Sequence, residues 1–90
     1  MKKKTIKVTW NDIEYGNKNR RASPRGKHCP VASATRRAFK KGKAYVNIGY
    51  TDMLLGIKER QIPLPVEASR FISQWERYDG VGPFQFTLEY

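Results

Sequence analysis

Apolar and polar residues alternate between Thr5 and Trp10, with Ile6, Val8 and Trp10 on one side and Lys7 and Thr9 on the other. A period of two marks a half-buried strand. Asn11 then predicts the cap of a short helical turn over 12–15. Asp12 and Glu14 sit at its positive end and Gly16 at its stop. The periodicity disappears over 17–28, NKNRRASPRGKH, which is polar, basic and rich in turn formers. This predicts a basic loop too long to be a mere connector.

A helical period returns at Pro30, which suits a first helical position, and Gly42 suits the end. Val31, Ala34, Thr35 and Ala38 form its apolar stripe; Ser33, Arg36, Arg37, Lys40 and Lys41 form the polar one. A second strand is predicted over 43–50, with Ala44, Val46, Ile48 and Tyr50 on one face and Tyr45 and Asn47 on the other. Thr51 and Asp52 suggest a turn. A third strand is predicted over 55–62, where the charged Lys58-Glu59-Arg60 run fits an edge position. Ala68, Phe71, Ile72 and Trp75 follow at i, i+3, i+4 and i+7, which predicts an amphipathic helix over 65–78. The last segment, 84–90, alternates cleanly, with Phe84, Phe86, Leu88 and Tyr90 facing one way.

The predicted order is β-α-β-β-α-β with an extra helical turn after the first strand. Two helices on one face of an antiparallel sheet bury all these stripes together. The expected fold is therefore a small two-layer α+β sandwich, of which the ferredoxin-like fold is the best-known form. Ninety residues make one domain, 1–90, with 17–28 as its basic loop. A single cysteine excludes an internal disulfide framework. No apolar run follows the opening lysines, so a reducing cytoplasm is the expected location and no membrane is expected as a partner.

Charge sharpens the picture. The chain holds 18 Lys and Arg against 8 Asp and Glu, for a net charge of +10. Residues 1–43 carry 14 basic and 2 acidic side chains; residues 44–90 carry 4 basic and 6 acidic. So uneven a distribution implies a basic face and an anionic partner.

The chemical motifs are fewer. Zinc needs four ligands, commonly paired cysteines and histidines, and the chain has one of each, so no metal is expected. The adjacent His28 and Cys29 lack an acid nearby to orient the histidine, and neighbours in sequence seldom reach catalytic geometry. There is no Gly-rich phosphate loop of the nucleotide-binding types. A non-enzymatic protein without a cofactor is the expectation. The stretch 41–48, KGKAYVNI, resembles the RNP1 signature at Lys41, Gly42, Ala44, Tyr45 and Val46, but fails at Lys43 and Ile48, where aromatics belong. Tyr45 is left as a base-stacking candidate.

The start of the Pro30 helix is the stronger candidate. Cys29 falls at the N-cap, and the backbone N–H groups of Val31, Ala32 and Ser33 are expected to be open to an anion. Arg20, Arg21, Arg25, Lys27 and His28 lead into it, and Arg36 and Arg37 follow on the helix. Arginine forks suit phosphate oxygens. An ordinary buried cap fits the same residues equally well.

Four segments occur together: Asp12-Ile13-Glu14-Tyr15-Gly16, then Cys29-Pro30-Val31-Ala32, then Leu64-Pro65-Val66-Glu67-Ala68-Ser69-Arg70-Phe71-Ile72, then Pro83-Phe84-Gln85-Phe86-Thr87-Leu88. In this order they resemble a group of small, uncharacterised bacteriophage and prophage proteins. The resemblance spans most of the chain and implies a viral accessory protein acting in the host bacterial cytoplasm. It carries no activity to transfer. With the charge pattern, it suggests an anti-defence binding protein that sequesters an anionic nucleotide messenger. DNA or RNA binding through the basic half is one alternative; inhibition of a host defence protein, in the manner of an anti-CRISPR, is another. An exposed edge strand makes a homo-oligomer the expected assembly.

Overall fold

The structure, a computed structural model, describes residues 2–19, 29–39, 46–49, 51–56, 60–77 and 79–90. The first strand, β1 (Lys3–Val8), buries Ile6 and Val8 and exposes Lys3, Thr5 and Lys7, as its alternation requires. It ends two residues earlier than the pattern predicts. Thr9 turns the chain: its hydroxyl accepts the Asp12 N–H, and the Asp12 carboxylate accepts the Thr9 N–H at 2.8 Å. This capping box opens α1 (Trp10–Lys18), so Trp10 lies on a helix and not on the inner face of the strand.

Helix α1 is longer than the predicted turn and takes in Asn17 and Lys18, which the pattern assigned to the basic loop. Gly16, expected as a stop, lies inside it. The reason is steric: a Cβ at position 16 would stand 2.7 Å from Pro30 Cδ and 3.2 Å from Pro30 N. Glycine allows α1 to close against the start of the next helix. Gly16→Ala gains about 1 kcal/mol of helix propensity but overpacks a rigid ring and its backbone, at about 1–3 kcal/mol. Net destabilisation in urea unfolding is expected; a stabilised variant would show that the contact is not tight.

Helix α2 (Pro30–Ala38) starts with Cys29 at the N-cap and Pro30 at the first position, as predicted. It packs on β1, α1 and the second strand. Val31, Ala32, Ala34 and Thr35 are buried, and the small side chains permit this three-sided contact. The Thr35 hydroxyl donates to the Val31 carbonyl at 2.7 Å, so its burial leaves no unmet hydrogen bond.

Strands β2 (Val46–Ile48), β3 (Asp52–Leu55) and β4 (Arg60–Pro63) pair antiparallel in sequence order. The predicted strand over 55–62 therefore takes in only the last residue of β3 and the first three of β4, and its residues 57–59 lie outside the described residues. Gly56, at φ +83°, takes the chain out of β3 in a conformation that side-chain-bearing residues rarely adopt. Ile48, Met53 and Ile62 stand in register across the three strands and are buried. Helix α3 (Val66–Glu76) buries the predicted Ala68, Phe71, Ile72 and Trp75. The Trp75 indole N–H donates to Asn17 Oδ1 at 3.0 Å, which ties α3 to α1. Strand β5 (Phe84–Glu89) returns antiparallel beside β1, with Ile6 opposite Phe86 and Lys7 opposite Gln85. Phe84 stacks on Phe71 at 4.5 Å between ring centres and joins β5 to α3.

The class is α+β, with three helices and two small antiparallel sheets among the described residues. One sheet is β1-β5 and the other β2-β3-β4. The single four-stranded sheet of a ferredoxin-like domain is not the pairing seen there. The inner faces of both sheets and one side of each helix share a common core.

Candidate anion-binding surface

The predicted site centres on the start of α2. Cys29 is 3 % exposed, and Val31 and Ala32 are fully buried beneath their neighbours. The Ser33 N–H donates to the Cys29 carbonyl at 3.1 Å. The expectation that this N–H lies open to an anion is therefore corrected: it makes the first bond of the helix. Burial also removes the Cys29 thiol from the exposed setting in which a helix start would activate it.

The polar residues that follow are occupied from an unexpected direction. Asp12, on α1, is 2 % exposed and reaches across to α2. Its Oδ1 accepts the Ser33 hydroxyl at 2.9 Å, and its two oxygens receive both terminal nitrogens of Arg37, Nη2 at 2.9 Å. The same Nη2 donates to the Lys7 carbonyl at 2.7 Å. One guanidinium thus fastens α2 to α1 and to β1, in the two-pronged geometry that makes such pairs strong. Arg37 and Ser33, predicted as phosphate ligands, are here partners of Asp12.

The electrostatics follow the geometry. Burial pushes the Asp12 carboxyl up, but the Arg37 guanidinium, the Thr9 N–H and the Ser33 and Thr9 hydroxyls outweigh it and hold it below its ordinary value. The Asp12 carboxylate in turn holds the Arg37 pKa above its usual range. Arg36 is half-buried on α2. Arg20, Arg21, Arg25, Lys27 and His28, and the stacking candidate Tyr45, lie outside the described residues.

The remaining described cations of the basic half, apart from Lys4, are at the surface. Lys2 is exposed just before β1, Lys3 and Lys7 are exposed along it, and Lys18 is exposed at the end of α1. Lys3 stands 3.8 Å from Glu89 across the sheet, but both are solvated and this pair contributes little. Lys4 faces inward, its ammonium 5.2 Å from the Phe39 ring centre.

Trp10 is the residue that pattern reading misplaced most. Its side chain is 59 % exposed at the start of α1, beside a shallow cleft of 380 Å³. The signal was Thr9-Trp10-Asn11-Asp12, a capping sequence that ends the strand before the tryptophan. Among the described residues no three His, Cys, Asp or Glu side chains gather to hold a metal ion, and no helix is long and apolar enough to cross a membrane. Comparison with family models, curated proteins and solved structures finds no match.

Proposed function

We propose that the protein acts without catalysis, as a phage accessory protein that binds nucleic acid through its basic half. One observation carries this reading. Residues 1–43 hold 14 basic and 2 acidic side chains, and one of those acids, Asp12, is buried and paired with Arg37. Glu14 is then the only acidic side chain that this half presents to solvent. Glu89 on β5 stands beside Lys3, but the excess of cations in this half still attracts a polyphosphate chain from a distance and displaces its counterions on contact.

A compact nucleotide messenger of bacterial defence is the second reading. It is favoured by the close spacing of Arg20, Arg21, Arg25 and Lys27 in the sequence, which suits a ligand with adjacent phosphates. The burial of Cys29, Val31 and Ala32 and the bonding of the Ser33 N–H to the Cys29 carbonyl count against contacts from the helix start to such a ligand, and so polymer binding is preferred.

Charge reversal tests the location. Lys3→Glu combined with Lys18→Glu should weaken binding of a single-stranded oligonucleotide at least about tenfold at low salt and flatten its salt dependence. Arg70→Glu combined with Arg77→Glu, on the other half, should leave binding nearly unchanged. Equal losses in the two double variants would refute a face-specific interaction.

A further inference from the structure

The geometry points to the cleft beside Trp10 as a seat for one nucleobase of a single strand, with Trp10 as the stacking platform. This rests on the nucleic-acid reading above and names the contact that phosphate attraction alone does not supply. An exposed indole beside a cleft offers a large, rigid apolar face on which a base can stack. Here the capping box at Thr9 and Asp12 fixes the start of α1, so Trp10 is held at the surface by the fold.

The cleft's chemistry suits a base that carries a phosphate. Trp10, Pro83 and Phe84 supply flat and apolar walls. Lys7 brings a cation, and Gln85, its cross-strand partner, brings an amide with both donor and acceptor capacity. None of the described residues lining the cleft is acidic. Aromatic stacking, a neighbouring cation and a hydrogen-bonding amide are the parts from which single-strand sites are built. A volume of 380 Å³ leaves room for a single base.

The second tryptophan makes the test selective. Trp75 is 1 % exposed, with its indole N–H bonded to Asn17, so ligand-induced quenching reports on Trp10. Titration with a short oligothymidylate should quench tryptophan emission. Trp10→Ala should bind it about 5- to 150-fold more weakly, the range seen when a stacking aromatic is truncated. Trp10→Phe should recover most of that loss, and Gln85→Ala should show a smaller one. Oligonucleotide that binds the wild type without quenching, or a natively folded Trp10→Ala that binds as tightly as wild type, would overturn the stacking site while leaving the nucleic-acid reading intact. Thymidine monophosphate quenching at the same concentration as the oligomer would overturn the single-strand assignment in favour of a free nucleotide. Absence of any binding by the wild type at low salt would overturn both readings.

Discussion

Asp12→Ala is expected to destabilise the protein by about 3 kcal/mol, the lower end of the range for breaking a buried ion pair. The substitution removes the acceptor for the Thr9 N–H, the Ser33 hydroxyl and both Arg37 nitrogens at once. The lower end applies because Arg37 is half exposed and can return to water, whereas the buried member of the pair is deleted outright. For a domain of this size that loss should lower the melting temperature by roughly 12–24 °C. Arg37→Ala should be at least as damaging at neutral pH, since it leaves the buried carboxylate with hydroxyl and amide partners only. Denaturant unfolding of both variants measures this directly. A loss below about 1 kcal/mol for Asp12→Ala would mean that the α1–α2 junction does not depend on it.

The same carboxyl gives the pH dependence its sign. Its folded-state pKa lies below the ordinary 3.8, so folding favours the ionised form. The contribution is complete above the ordinary value and is lost as pH falls through the lowered one. The stability gap between wild type and Asp12→Ala should therefore be flat near neutrality and close in acid below pH 3.8. A gap that instead widened in acid would reverse the assignment.

Some elements were legible from local pattern because each carries its own instructions. Helix α3 has a full apolar stripe, β5 alternates strictly, and α2 has Pro30 at its first position. The hairpin of β3 and β4 was not legible as such: Leu54 and Leu55 break alternation, and the decisive fact is the backbone angle of Gly56. Alternation alone places Trp10 on the strand, because its period continues one step past the Thr9 cap.

The site was harder to read for a physical reason. Arg37 lies on the polar stripe of α2 within a stretch, from Arg20 to Arg37, that contains no acid. Read locally, its cations lack partners and invite an external anion. The fold supplies an internal one from 25 residues away, because Gly16 and Pro30 let α1 and α2 close together. Spacing in sequence does not encode that approach. What survives is the charge balance itself, since satisfying Arg37 consumes one of only two acids in the half.

Affinity against salt tests the central claim most directly. Single-stranded oligonucleotide should bind the wild type at low ionic strength, with log affinity falling linearly in log salt at about −0.7 per phosphate neutralised. If roughly six to ten phosphates are engaged, raising salt from about 50 to 200 mM should weaken binding by about 10²–10⁴-fold. The measurement is a fluorescence-anisotropy titration repeated across that range. A steep linear slope is the predicted result; no binding at low salt, or an affinity indifferent to salt, would contradict it.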